Sequence, residues 1–250
     1  CNFQGLGNEI TLPWTKDYKS RDEYNSGPNT GGMGAVTHPL SYKDKNSIFK
    51  LNMKIDEISS NTLTSVKDLF KSNYLGFLYL GLMIDKNGEP NVLEYNCRLG
   101  DPETQNIMMD LENKNIDLLD LILEPNNSAN EQMESEILFE LTNNLLPDFC
   151  CTIVLAAKGY PEKYESNFFL DLNNIETNSS VKIFHAGTVL VNGKIMVTGG
   201  RILSVNVIAK SKEEAISEAY ENIKKIKAYK DESMQIEDNE LIFFRDDIGF

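Results

Sequence analysis

Long apolar runs are missing from this 250-residue chain. Nothing approaches the ~18 consecutive apolar residues of a membrane-spanning helix, so no membrane partner is expected. No basic segment followed by an apolar stretch marks a secretory leader. Cysteine is scarce: Cys1, Cys97, Cys150 and Cys151 are the full set. None of them has zinc-ligand spacing, and adjacent Cys150 and Cys151 are poorly placed for a bridge. Few thiols and no leader point to a reducing, cytoplasmic location, with Cys97, Cys150 and Cys151 as buried thiols. Arginine is rarer still relative to lysine, with only Arg21, Arg98, Arg201 and Arg245. Positive charge as a whole is short: 24 Lys+Arg against 38 Asp+Glu leave a net charge of −14. That balance argues against a nucleic-acid partner, since a polyanion needs a basic face. What remains is ordinary globular composition, 41% hydrophobic and 25% charged, in a length that allows one large domain or two of usual size.

The acidity is concentrated. Residues 101–140 carry 11 acids and one base, Lys114, for a net charge of −10, while residues 1–100 balance at 11 of each. Such a stretch reads as a solvated helical surface or as an acidic partner-binding face. The chain starts at Cys1, in what reads as the middle of a strand pair. A preceding portion of a longer protein is therefore expected. Residues 14–37 read as loop, with four glycines and one proline in Gly27–Gly34. Apolar residues at steps of three and four predict helices over 44–72, 103–123, 131–146 and 212–227. Residues 75–84 read as a buried strand. Asp85–Gly88 is a hairpin turn, and Asn91–Asn96 is the return strand. A strand over 151–157, short strands at 181–184, 188–191 and 194–198 around an Asn192-Gly193 turn, and a strand over 202–208 follow. The change in character near 147–150 suggests a domain boundary there.

Three stretches carry chemistry. In a strand, residues two apart share a face. Glu94, Asn96 and, if the strand continues, Arg98 then point the same way. A carboxylate beside an amide oxygen suits Mg²⁺ or Mn²⁺, and an arginine one step on clamps a phosphate or carboxylate. The plainer reading is a polar sheet edge facing water. The glycine loop 27–34 resembles neither a Walker A loop nor a dinucleotide fingerprint. It is either a phosphate-cradling nest or a mobile turn. Finally, Arg201, after Gly199-Gly200, clamps an anion or caps a loop. His185, beside Phe184, reads as a structural histidine.

Together GPNTGGMGA, the strand pair GFLYLGLMIDKNGEPNVLEYN, and CRLGDPETQ resemble the phosphoribosylamine–glycine ligase (glycinamide ribonucleotide synthetase) family of the ATP-grasp superfamily. AAKGYP, FHAGT, TGGRIL and RDDIGF follow in the family's order, so the resemblance spans essentially all 250 residues. It implies an α+β fold. Residues 1–147 would be the C-terminal part of an ATP-grasp core, an antiparallel sheet backed by helices. Residues 148–250 would be a small α+β domain like the family's C domain.

The resemblance also implies an ATP-dependent ligase of de novo purine synthesis that acts on glycine and 5-phosphoribosylamine, with Mg²⁺ or Mn²⁺ as cofactor. Glu94 and Asn96 match the family's metal ligands, and Arg98 the arginine that steadies the transferring phosphate. Asp101 and Glu103 would orient the substrate amine. Asn29, Thr30, Gly31, Gly32, Gly34, Gly100 and Arg201 would bind substrate or phosphate. Leu99 replaces the family's phenylalanine, an apolar-for-apolar change. The family's N-terminal domain and nucleotide lid lie before the point where this chain starts, so the chain alone is expected to be inactive. Two other readings stand beside the ligase. One is another ATP-grasp carboxylate–amine ligase, of the carboxylase or carboxyaminoimidazole type. The other is a non-catalytic binding module derived from the ligase.

Overall fold

A computed structural model describes residues 2–4, 9–37, 45–119, 148–231 and 240–250. In chain order the strands and helices are β1 (Asn2–Gln4), β2 (Glu9–Thr11), β3 (Thr15–Asp17), β4 (Ser20–Asp22), β5 (Ser26–Asn29), β6 (Gly34–Thr37), α1 (Lys45–Phe70), β7 (Gly76–Ile84), β8 (Pro90–Asn96) and α2 (Glu103–Asn113). Then come β9 (Phe149–Ala157), β10 (Phe169–Asp171), β11 (Val181–His185), β12 (Thr188–Val191), β13 (Lys194–Val197), β14 (Arg201–Ala209), α3 (Lys212–Ile223), β15 (Lys227–Tyr229) and β16 (Ile242–Phe243). The helix expected over 131–146 lies outside the described residues. None of the described helices is long and apolar enough to cross a membrane.

The described residues fall into two compact units. One draws on 1–14, 40–100 and 114–146, the other on 15–39, 101–113 and 147–250. In the first, an antiparallel sheet has the order β2-β1-β7-β8. Tyr79 pairs with Asn96 and Gly81 with Glu94, but Leu82 pairs with Val92, so Leu93 is an extra residue that bulges β8. Helix α1 buries Leu51, Ile55, Ser59 and Leu63, one stripe at four-residue steps. Its Thr62 hydroxyl meets the Tyr95 hydroxyl of β8 at 3.0 Å. The Asp85–Gly88 turn forms as expected. The Asp85 carboxylate accepts the N–H groups of Asn87 (2.8 Å) and Glu89 (2.9 Å), and these bonds hold its pKa below the usual carboxylate range. Two expectations fail here. Strand β7 is mostly half-buried, with Leu78 its one fully buried residue. Cys97 is exposed, because it follows the end of an edge strand whose own residues are largely exposed.

In the second unit the sheet order is β11-β14-β9-β6-β3, with β16 also paired to β9. Every residue of β9 is buried, which explains its unbroken apolar run CTIVLAA. Cys151, Ile153, Leu155 and Ala157 share a core with Ala215, Ile216, Ala219 and Tyr220 of α3. On the opposite face Cys150 packs with Met109 of α2 and with Ile208. A polar cluster sits on that same face. The Thr152 hydroxyl is 2.7 Å from Asn206 Oδ1 and also bonds Asn106, while Asn206 Nδ2 donates to Ser204 O at 3.0 Å. The cluster is not closed, since Asn106 Nδ2 is buried without a hydrogen-bond partner among the described residues.

Residues 14–37, read as loop, instead supply four strands. β6 is buried because it pairs with central β9 (Gly34↔Ile153), and β3 adds to its far edge. The helix expected over 103–123 is interrupted: α2 stops at Asn113, Asn115 takes a left-handed φ of 55°, Leu118 and Leu119 are helical again, and residues 120–123 lie outside the described residues. A second small sheet, β12-β13-β10-β15, contains the expected Asn192-Gly193 turn, with φ of 50° and 77°.

Candidate active site

On β8, Glu94 and Asn96 stand two residues apart on one face, and Asn96 Nδ2 donates to Glu94 Oε1 at 3.3 Å. Gly81, opposite Glu94 in the ladder, leaves room for that side chain: a Cβ there would lie 2.8 Å from Glu94 Cγ. The strand ends at Asn96, so Arg98 is off the ladder; it is exposed, with Nη1 donating to Leu99 O at 2.9 Å. Among the described residues no three His, Cys, Asp or Glu gather into a metal cluster. The exposed carboxylate–amide pair nevertheless fits Mg²⁺ or Mn²⁺. Both are hard cations that take one or two protein oxygens and fill the shell with phosphate oxygens and water. The amide must present its oxygen for this, a half-turn of its χ2.

In the other unit, four of the sequence motifs meet. Arg201, at the start of β14, reaches the glycine loop and the Gly-Asp-Pro-Glu turn together. Its Nη1 donates to Gly31 O (2.9 Å), Gly32 O (3.4 Å) and Asp101 O (2.9 Å), and its Nη2 to Asp101 Oδ2 (2.7 Å). Asp101 Oδ1 accepts from Gln105 Nε2 at 2.9 Å, which engages both oxygens of that carboxylate. Tyr160, from AAKGYP, accepts the Gly31 N–H at 3.0 Å, and its ring lies where a Cβ on Gly200 would come within 2.3 Å. Thr30 closes the loop on itself: its N–H and hydroxyl both donate to Lys19 O, and its Oγ1 accepts the Gly32 N–H at 2.9 Å. The N–H groups of Thr30, Gly31 and Gly32 are thus spent within the protein. In this state the loop is a tied turn and not an open anion nest, and an anion must exchange those bonds or be met by side chains. Asn29 is exposed at the end of β5, Gly34 is buried in β6, and Gly100 is buried. His185 lies exposed with Nδ1 2.9 Å from Thr188 Oγ1.

The sequence reading missed Asp17. Its side chain is 10% exposed, with Oδ2 3.0 Å from Lys19 Nζ. Oδ1 is buried without a hydrogen-bond partner among the described residues and lies 2.9 Å from where a Cβ on Gly32 would be. Burial, and then the charge of Glu103, push its pKa from 3.8 to about 6, against the pull of Lys19 and Arg201. Glu103 itself is 3% exposed in the first turn of α2. The only signal in the sequence was the alternation of Thr15 and Asp17 on one side of a short strand.

Comparison with known proteins now adds the family. The phosphoribosylglycinamide synthetase ATP-grasp (A) domain matches residues 5–104, and the phosphoribosylglycinamide synthetase C domain matches residues 150–250. Proteins named phosphoribosylamine–glycine ligase from Vibrio parahaemolyticus and Fusobacterium nucleatum are 37% and 38% identical over 246 and 249 residues, 97% and 96% of this chain. The chain spans about half the length of these curated relatives, 50% and 51%. A solved phosphoribosylamine–glycine ligase from Thermotoga maritima aligns over 99% of this chain and 54% of its own, with a TM-score of 0.69 and 32% identity. The biotin carboxylase subunit of pyruvate carboxylase aligns over 90% of this chain and 44% of its own, with a TM-score of 0.56 at 13% identity, a likeness of ATP-grasp fold alone. With both domains of one family matched in order and the fold of a solved relative shared over 99% of this chain, this α+β chain belongs to the phosphoribosylglycinamide synthetase family.

Proposed function

We propose that the polypeptide carrying this chain joins glycine to 5-phosphoribosylamine with ATP, giving glycinamide ribonucleotide, ADP and phosphate in de novo purine synthesis. The observation that carries this reading is the ordered match of both family domains, with relatives of that name over 96–97% of the chain. The glycine carboxylate attacks the γ-phosphorus of ATP, a P–O bond to ADP breaks, and glycyl phosphate forms. The amine of phosphoribosylamine then attacks the acyl carbon. The C–N bond forms, phosphate leaves, and the amine gives up a proton.

Glu94 and Asn96 hold Mg²⁺ or Mn²⁺, which when bound neutralises charge on the phosphates. Arg98 steadies the phosphoryl group in transit with its planar fork. Asn29, Gly34 and Gly100 are assigned to substrate or phosphate binding. Thr30, Gly31, Gly32, Arg201 and Asp101 form the tied platform there, and buried Glu103 and Asp17 supply negative charge for the substrate amine. The remaining nucleotide contacts lie in the part of the longer relatives that this chain does not span, and the enzyme works in the cytoplasm.

The test uses the full-length polypeptide. ADP should form only when glycine and phosphoribosylamine are both present, and Glu94→Ala should abolish metal-dependent turnover without loss of folding, because Glu94 is exposed. Near-parental turnover in that variant would sink the metal assignment. ADP formation driven by bicarbonate in place of glycine would overturn the substrate.

A further inference from the structure

Of the chain's four arginines, three hold one short segment, residues 20–32. Arg201 ties Gly31 and Gly32. Arg21 grips Asp22 through Nε (2.7 Å) and Nη2 (2.8 Å) and reaches Glu162 Oε2 at 3.3 Å. Arg245 is the most committed. It is 2% exposed, although guanidinium groups are rarely buried unless paired. Its Nη1 donates to Ser20 O at 2.9 Å, and its Nη2 to Asn25 Oδ1 at 3.4 Å. Its Nε and Nη2 hold the two oxygens of Asp247 at 2.7 Å each, and the guanidinium lies 5.1 Å from the centre of the Tyr18 ring. Asp247 Oδ2 in turn accepts the Tyr24 N–H at 2.8 Å.

The segment they grip is strained. Tyr24 has a φ of 55°, a left-handed value that a bulky residue keeps only where surroundings over-determine it, and Asn25 beside it shares that region at 56°, which asparagine adopts more readily. Here the surroundings are Asp247 and Arg245, fixed by Gly249 N–H to Tyr18 hydroxyl (2.9 Å) and Ile248 N–H to Tyr220 hydroxyl (2.8 Å). The turn joins β4 to β5, Ser20 pairs with Asn29, and Thr30 bonds Lys19 O just before Gly31 and Gly32. A change at the turn is therefore carried along a two-stranded ribbon to the glycine loop.

We propose that Arg245 and Asp247 form a clasp that positions the Thr30–Gly32 loop for the reaction, acting through the β4–β5 ribbon and not by touching substrate. This rests on the ligase reading, but the clasp can be tested apart from it. Lysine cannot substitute, since one point charge cannot serve Ser20 O, Asn25 and both Asp247 oxygens at once.

The experiment uses Arg245→Lys and Asp247→Asn in the full-length polypeptide, the second keeping side-chain shape in case the first fails to fold. Amide hydrogen exchange should quicken at least tenfold at Tyr24, Gly31 and Gly32 while Cys151 and Leu155 of β9, buried in the core, keep parental protection. At a temperature where the variants are folded, at least one substrate KM should rise about tenfold with kcat within twofold. Unchanged exchange at Gly31 and Gly32, or exchange that quickens equally in β9, overturns the clasp. So do unchanged KM values in an active parent. If the parent forms no glycine-dependent ADP, the ligase reading fails, and the exchange pattern alone still decides whether the clasp exists.

Discussion

Asp17→Asn should stabilise the protein, and increasingly so as pH rises. Folding moves this carboxyl's pKa from 3.8 to about 6, chiefly by burial and then by the charge of Glu103. The displacement corresponds to about 3 kcal/mol. The folded state retains a proton that the unfolded chain releases. The penalty is therefore absent below the unfolded value of 3.8, builds between the two values, and is complete above about 6. Nearly half of it, about 1.4 kcal/mol, builds up between pH 5 and pH 8. Asparagine has the same shape and no charge, so it escapes this term. The ion pair with Lys19, whose side chain is 52% exposed, forms only when Asp17 is ionised and is already contained in that net shift. Urea unfolding of the full-length parent and variant, followed by far-UV circular dichroism at both pH values, measures the difference. The variant's stability relative to the parent should grow by about 1.4 kcal/mol from pH 5 to pH 8. A difference that stays constant, or shrinks with rising pH, would refute the assignment of Asp17 as a buried, charge-opposed carboxylate.

Gly32→Ala should destabilise by about 2–3 kcal/mol, read as a fall of several degrees in thermal midpoint. The backbone there has φ of 114°, and the new methyl would sit 2.4 Å from Pro102 Cδ, a ring atom with little freedom to move. Gly81→Ala should behave oppositely, with stability changed by under about 1 kcal/mol. Its methyl is crowded by the flexible Glu94 side chain, 2.8 Å away at Cγ, and meets Glu94 O and Tyr79 Cε1 at ordinary contact distances of 3.5 and 3.6 Å. Pushing Glu94 aside should instead weaken Mn²⁺ binding several-fold, measured directly by titration of the ion; unaltered affinity would separate Glu94 from the metal.

Much of the frame was legible because its signals are local. The apolar run of β9, the four-residue steps of α1 and α3, and the Asn-Gly turns each state their geometry within a dozen residues. The pairing of Glu94 with Asn96 was legible for the same reason, a period of two along one strand. Strands such as β10, β15 and β16 were not, since two or three residues carry no periodicity. Nor was the polar, glycine-rich stretch before residue 37, whose β6 exists because β9 offers it a ladder from more than a hundred residues away, and whose β3 then pairs with β6.

The scarcity of arginine shows the division most clearly. The sequence by itself determined that only four guanidinium groups were available and that one of them, Arg98, follows the Glu-x-Asn pair. Only the tertiary structure decided that Arg201 and Arg245 converge on residues 20–32, where Arg21 already sits, that Arg201 meets loop carbonyls and Asp101, and that Asp17 is buried beside Gly32. Strand periodicity and turn chemistry are properties of neighbours along the chain. Burial, ion pairing and pKa depend on groups that only folding brings within a few ångströms.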